Sequence, residues 1–273
     1  MQGFSHIVLT VFNVRLHFGG NTAPSREWLV NRFDLFENFC LPSMRSQGNQ
    51  NFTWLVLFDA ETSAPFRDKI SSYAQWENFV PCFVDQVMTV DSFSSMKRDL
   101  IMKHVAGDAD HLITTTLDND DAVGARFVET LQNHFAGQQF EFVNFARGFV
   151  LDHRTGKLYE KRDESNPFIS LIERAENFKT VWCAAHPELA SLGKLRQIET
   201  DPMWLQVVHG RNAINSVGNR RRIPIRLLGK DFRIAYSYDA DAENTTAMFF
   251  ENISKKLKYF ESKLLKGVRS QST

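Results

Sequence analysis

The sequence predicts an α/β protein: a mixed, mostly parallel sheet flanked by helices, with an elaborated C-terminal region and a terminal amphipathic helix. Three observations carry this. In the first half, short β-branched and aromatic runs alternate with stretches of helical periodicity. One such run, HLITTT (111–116), leads directly into Asp118, Asn119, Asp120 and Asp121. Near the end, Leu257, Phe260, Leu264 and Val268 recur at helical spacing among Lys255, Lys256, Lys258, Lys263 and Lys266.

HIVLTVF (6–12) is the first strand. SREWLVNRFDLFENFCLPSM then places Trp28, Leu29, Phe33, Phe36 and Phe39 on one helical stripe, with Ser25 as cap and Pro42 as terminator. FTWLVLFD (52–59) is the second strand and also ends on a carboxylate, Asp59. A helix around 64–76, a third strand at FVPCFV and a helix over SFSSMKRDLIMKHVAG follow. The fourth strand is 111–116, so the acidic cluster stands at its carboxyl end, where open α/β sheets bind ligands. ARFVETLQNHFA is helical, FEFVNFARGFVL (140–151) reads as one strand, and DHRTGKLYEK as a hairpin. Beyond come aromatic-rich irregular segments with no Gly/Pro/Ser-rich linker, so 1–240 is expected to be one continuous domain and 241–273 a helix with a tail.

With 273 residues and 43% hydrophobic content, the chain can bury a substantial core. Lys+Arg and Asp+Glu balance at 32 each, so no overall field draws it to nucleic acid. Cys40, Cys82 and Cys183 suit neither a disulfide framework nor a zinc cluster, and a cytoplasmic location is expected. The apolar start lacks a basic region and a small-residue cleavage site, and reads as a strand rather than a signal peptide. No run reaches the ~18 apolar residues of a membrane span. The terminal basic amphipathic helix can lie on the inner face of a membrane, or it can pack on the domain or on a second copy.

Three centres can carry chemistry: Asp118 to Asp121; Glu199 and Asp201 in IETDPMW; His209 and Arg211 in VVHGRN. Carboxylates this close repel, so a cation is expected beside them, unless the segment is a solvated turn. Oxygen ligands suit Mg²⁺, Mn²⁺ or Ca²⁺. No phosphate-binding loop, dinucleotide fingerprint, H-E-x-x-H or G-x-S-x-G is present, which removes the common kinases, dinucleotide oxidoreductases and serine hydrolases. A phosphate-ester hydrolase of the HAD type, with Asp118 as nucleophile, stays open as an alternative. Against it, Ala122 stands where that motif has Thr or Val, and the strand is the fourth.

An Asp-x-Asp after a mid-chain strand is also the arrangement of GT-A glycosyltransferases. The succession RFDLFENFCLPSMRSQGNQNFTWLVLFD, TTTLDNDDAV, NPFISLIE and DPMWLQVVHGRN resembles the rhamnosyltransferase family of bacterial GT-A-like proteins, over about residues 5–240. The resemblance implies transfer of a sugar, L-rhamnose from dTDP-rhamnose for the family's name, from a nucleoside-diphosphate donor to an acceptor hydroxyl with inversion. It implies a nucleotide-binding half over about 1–125 and an acceptor side over about 126–240. A Mn²⁺ or Mg²⁺ ion would be held by Asp120, Asp121 and His209. Thr10, Phe12, Asn13, Arg15, Asp59, Arg98, Asp118 and Arg211 would contact the nucleotide, with Lys97 beside Arg98. Asp201 or Glu199 would be the base, although Asp201-Pro202 also suits a helix cap. The acceptor would be a glycan, a lipid-linked glycan or a protein. A non-catalytic nucleotide- or carbohydrate-binding protein on the same fold is the remaining alternative.

Overall fold

The computed structural model describes residues 3–15, 24–85, 89–210, 216–239 and 243–269. In chain order the elements are β1 (Phe4–Val11), α1 (Arg26–Leu35), a π-helical turn (Phe36–Cys40) running into α2 (Leu41–Arg45), β2 (Thr53–Asp59), α3 (Ala64–Tyr73), β3 (Phe79–Val84), α4 (Val90–Met102) and β4 (His111–Thr116). There follow β5 (Ala122–Val123), α5 (Phe127–Asn133), β6 (Phe140–Phe145), β7 (Arg147–Asp152), β8 (Lys157–Arg162), β9 (Ser170–Arg174), α6 (Leu189–Leu192), β10 (Lys194–Ile198), β11 (Trp204–Val208), β12 (Arg222–Ile223), α7 (Leu228–Asp231) and α8 (Thr245–Arg269).

The strands form two sheets. The larger has the order β10-β6-β9-β4-β1-β2-β3, and the smaller β12-β8-β7-β11-β5. β1 pairs parallel with β2 and β4, as do β2 with β3 and β10 with β6; only β9 runs antiparallel in the larger sheet. The mixed, mostly parallel α/β class read from the sequence is the one observed. β1, β2 and β4 are buried almost along their whole lengths, as parallel strands covered on both faces must be. Much of the abundant phenylalanine goes into one cluster between α1 and the sheet. Phe12 meets Phe33, Phe36 and Phe58 with ring centroids 4.6, 5.3 and 4.8 Å apart, in tilted and edge-on geometries that aromatic quadrupoles favour.

Two sequence expectations are corrected. Residues 140–151 are two strands rather than one: Ala146 separates β6, in the larger sheet, from β7, in the smaller. Both halves are apolar because both are buried, so hydrophobicity alone conceals the crossing. Pro42 does not end the first helix, which continues to Arg45. The π turn just before it loosens the hydrogen-bond ladder, and Pro42 falls in the first turn of α2, where its missing N–H is tolerated. Ser25 does cap the helix, its hydroxyl accepting from the Trp28 N–H at 3.1 Å.

The chain also crosses between sheets at Asp118–Asp121, between β4 and β5. Around these crossings Trp204 is fully buried, donating from Nε1 to the Phe145 carbonyl at 2.7 Å and stacked on Phe168 at 5.3 Å. Its other face lies on Gly148, where a Cβ would stand 2.1 Å from the indole. Gly148→Ala is therefore expected to lower unfolding free energy by about 1–3 kcal/mol in a urea titration, because an enclosed ring cannot move aside.

α8 docks through its polar face. Glu251 pairs with Lys157 at 3.2 Å, Arg222 at 3.2 Å and Lys255 at 2.9 Å. Asn252 exchanges two hydrogen bonds with the Arg222 backbone, at 2.8 and 2.9 Å. Burial opposes ionisation of Glu251, but Lys255 and Lys157 prevail and hold its carboxyl at about 2, against an ordinary 4.5. A depressed carboxylate contributes stability above its unfolded pKa and loses it as pH falls through the folded value. Acid titration should thus destabilise the wild type between about pH 4.5 and 2, more steeply than Glu251→Gln, as read by circular dichroism melts at each pH.

Candidate active site

A cavity of about 770 Å³ opens at the carboxyl ends of β1 and β4, where the two sheets meet. Asp118, Asn119 and Asp120 line it together with Trp28 and Arg32 of α1. Lys161, Asp163, Gln206 and Arg220 line it from the second half of the chain.

The acidic stretch divides its side chains among different tasks, as alternation along an extended chain requires. Asp120 Oδ2 lies 2.7 Å from Arg32 Nη1 and 2.9 Å from His209 Nε2. Burial alone would raise the Asp120 carboxyl, but His209 and Arg32 outweigh it and hold it below the ordinary range. Asn119 accepts from Arg32 Nη1 at 2.9 Å and donates to the carbonyls of Val11 and Phe12 at 3.0 and 2.9 Å, tying the end of β1 to α1. Asp121 is completely buried and does not line the cavity; its Oδ1 accepts from the Val207 N–H at 2.8 Å. Burial, then the charges of Asp120 and Asp118, push its carboxyl well above the usual range. Asp118 is exposed at the rim; the enclosing cleft, then Asp120, push its carboxyl up to about 6.

The positive partner anticipated for this cluster is Arg32. It was missed because it stands 88 residues earlier on a helix, where a charged side chain reads as solvated surface. Its guanidinium also lies 4.9 Å from the Trp28 ring. The signal available in the sequence was Arg32 falling within the apolar stripe, four residues after Trp28 and four before Phe36.

The other expected contacts distribute unevenly. Phe12 lines the cavity, but Thr10 is buried and accepts from Trp54 Nε1 at 2.9 Å. Arg15 and Asp59 pair with each other at 2.8 Å, and Asn13 accepts from the Asp59 N–H at 3.0 Å, so these three form a closed cluster at the end of β2. Arg98 is exposed and lies 5.5 Å from the Phe178 ring. Lys97 beside it is buried, with Nζ 5.6 Å from the ring of the cavity-lining Trp182; desolvation brings its ammonium down to about 8. Arg211 lies outside the described residues.

Glu199 and Asp201 do not line the cavity. Glu199 is half exposed and paired with Arg162, while Asp201 is mostly exposed and 3.6 Å from Arg126. They precede β11 whereas His209 follows it, and that strand's length separates them from the site. Asp201-Pro202 does not cap a helix either, since a strand follows. The carboxylate that does line the second wall is Asp163, paired with Lys161 at 2.7 Å. It was passed over because DHRTGKLYEKRD reads as a hairpin arm with ordinary surface charge.

For a divalent cation the donor chemistry fits in a restricted way. Asp120 and His209 are side by side, Asp118 is at the rim and Asp121 is turned into the core. Among the described residues no three His, Cys, Asp or Glu side chains form a metal cage. A cation held by one or two carboxylates, water and substrate phosphates needs no such cage.

This chain is a mostly parallel α/β protein whose acidic strand end opens on a cavity. It belongs to the family described as "Putative rhamnosyl transferase", whose pattern matches residues 23–221. No curated protein matches. Among solved structures, it is similar to Staphylococcus aureus TarS 1-349, at 10% identity over 74% of this chain and 60% of that one, with a TM-score of 0.43. The same TarS fragment in complex with UDP gives 11% identity, 75% and 60% coverage and a TM-score of 0.43. A nucleotide-diphospho-sugar transferase from Desulfovibrio desulfuricans G20, described as putative, gives 8% identity, 95% and 99% coverage and a TM-score of 0.39. The chain thus spans about three fifths of the TarS fragment.

Because Arg32 and Asp120 are both mostly buried, removing one leaves less of the other's charge met. Arg32→Ala and Asp120→Ala should each destabilise by about 2–4 kcal/mol, and the double variant by clearly less than their sum. A double-mutant cycle in urea checks this; additivity would show that the pair is not coupled.

Proposed function

We propose that this glycosyltransferase moves a hexosyl group, L-rhamnose from dTDP-rhamnose in the first instance, from a nucleoside-diphosphate donor to an acceptor hydroxyl with inversion. The observation that carries the reading is the convergence of Asp118, Asp120 and Arg32 with Lys161, Asp163 and Arg220 around one cavity at the strand ends. The first group comes from the expected nucleotide half (1–125) and the second from the expected acceptor half (126–240), which supports that division.

In this reading the donor diphosphate lies over the ends of β1 and β4, near Arg32, whose planar fork suits phosphate oxygens. Trp28 and Trp182 offer aromatic faces for the base or the sugar. Asp120 and His209 would hold a Mn²⁺ or Mg²⁺ ion, with Asp118 at the rim for the ribose or a metal-bound water; the ion would neutralise charge on the departing diphosphate. The acceptor oxygen bonds to the anomeric carbon as the bond from that carbon to the phosphate oxygen breaks. The nucleoside diphosphate leaves with the electron pair, and the hydroxyl proton passes to a carboxylate on the acceptor side. Asp163 takes that role here in place of Glu199 and Asp201, with Lys161 2.7 Å away to orient it. The acceptor is a glycan, free, lipid-linked or on a protein.

The test has two stages. Nucleotide sugars are screened for thermal stabilisation with Mn²⁺, Mg²⁺ or chelator, and turnover is then measured with the stabilising donor. Stabilisation by a nucleoside-diphosphate sugar, strengthened by the cation and lost in Asp120→Ala, is expected. Asp163→Asn should retain donor binding but lose about 10²-fold or more in transfer, while Glu199→Gln and Asp201→Asn stay near wild type. Undiminished transfer in Asp120→Ala, or phosphatase turnover abolished by Asp118→Asn without any transfer, would overturn the reading.

A further inference from the structure

α8 presents its apolar side to solvent. Phe249, Phe250, Ile253 and Leu257 are 61%, 63%, 40% and 59% exposed. At 3.6 residues per turn, positions 249, 253 and 257 lie above one another, with 250 beside them. Glu251, Asn252 and Lys255, which hold the helix to β8 and β12, fall on the opposite side. An amphipathic helix added only to complete a domain would dock the other way round, burying its phenylalanines. Here ion pairs and hydrogen bonds fix the polar side inward, and the apolar arc is left outward.

Charge indicates what covers it. The whole chain is balanced, yet outside its docking contacts α8 carries Lys256, Lys258, Lys263, Lys266 and Arg269 against Glu261. A second copy of the same helix would bring like charge onto like charge; an anionic lipid surface meets both the basic excess and the apolar arc. No described helix is long and apolar enough to cross a membrane, so contact would be from the surface.

We propose that α8 is an interfacial anchor that seats the protein on anionic lipid, with Phe249, Phe250, Ile253 and Leu257 entering the headgroup boundary. Lys255 Nζ donates to the Arg220 carbonyl at 3.2 Å, and Arg220 lines the cavity, so the anchor is joined directly to the cavity wall. This rests on the helix geometry and charge, not on the transfer reading.

The full chain is sedimented with vesicles of phosphatidylcholine alone and of phosphatidylcholine with phosphatidylglycerol, at low and high salt. Binding to the anionic vesicles, weakened by salt, is expected. Phe249→Ser/Phe250→Ser should weaken it about tenfold or more with the melting profile and nucleotide-sugar binding retained. A Phe249→Trp variant gives an independent readout, since its emission should shift to the blue on anionic vesicles. No binding, equal binding by the serine variant, or an unshifted tryptophan overturns the proposal. So does a lipid-independent dimer in light scattering that the serine variant abolishes, because the apolar arc is then a protein interface.

Discussion

The contact on which the site depends is the one around Asp120. A carboxylate at a crossing between two sheets is tenable only if its charge is met, and Arg32 and His209 meet it from different parts of the chain. α1 must lie across the end of β1 for Arg32 to reach, and Asn119 secures that arrangement by bonding both Arg32 and the β1 carbonyls. β11 must run beside β5 and β7 for His209 to arrive. Local electrostatics and global topology are thus one constraint, and the cavity forms where they are jointly satisfied.

The carboxylates of this stretch show how neighbours in sequence are pushed in different directions. Against burial, the His209 hydrogen bond and Arg32 hold Asp120 below the ordinary range; Asp121, one residue on, is enclosed beside two other carboxylates and is pushed well above it. Asp118, at the rim, is raised to about 6. A cluster that looks like surplus negative charge is, in place, one well-partnered carboxylate flanked by two whose charged forms are disfavoured. The chain belongs to the family described as "Putative rhamnosyl transferase", and a site combining carboxylate and guanidinium suits a substrate that carries both hydroxyls and phosphates.

Most of the fold was legible because its signals are local. The runs 6–12, 52–59, 79–84 and 111–116 announce strands by β-branched and aromatic content, and the helices between them by periodicity. What failed were signals that depend on the other side of a contact. FEFVNFARGFVL is mostly apolar whether it lies in one sheet or bridges two, so Ala146 carried no warning. The cavity location at Asp118–Asp120 was readable from strand order. Arg32, Lys161 and Asp163 were not, because nothing local separates a charged residue facing a cavity from one facing water. Glu199 and Asp201 lie off the cavity for the converse reason: acids close in sequence to His209 fall at the other end of a strand from it.

The most direct measurement is amide hydrogen exchange across the chain with and without a stabilising nucleoside-diphosphate sugar. Slowed exchange concentrated at residues 11–12, 28–33 and 117–120, with weaker protection at 161–163, is the result expected if the donor sits over the Arg32–Asp120 contact. Protection centred instead on Asn13, Arg15 and Asp59, with 117–120 unchanged, would contradict it.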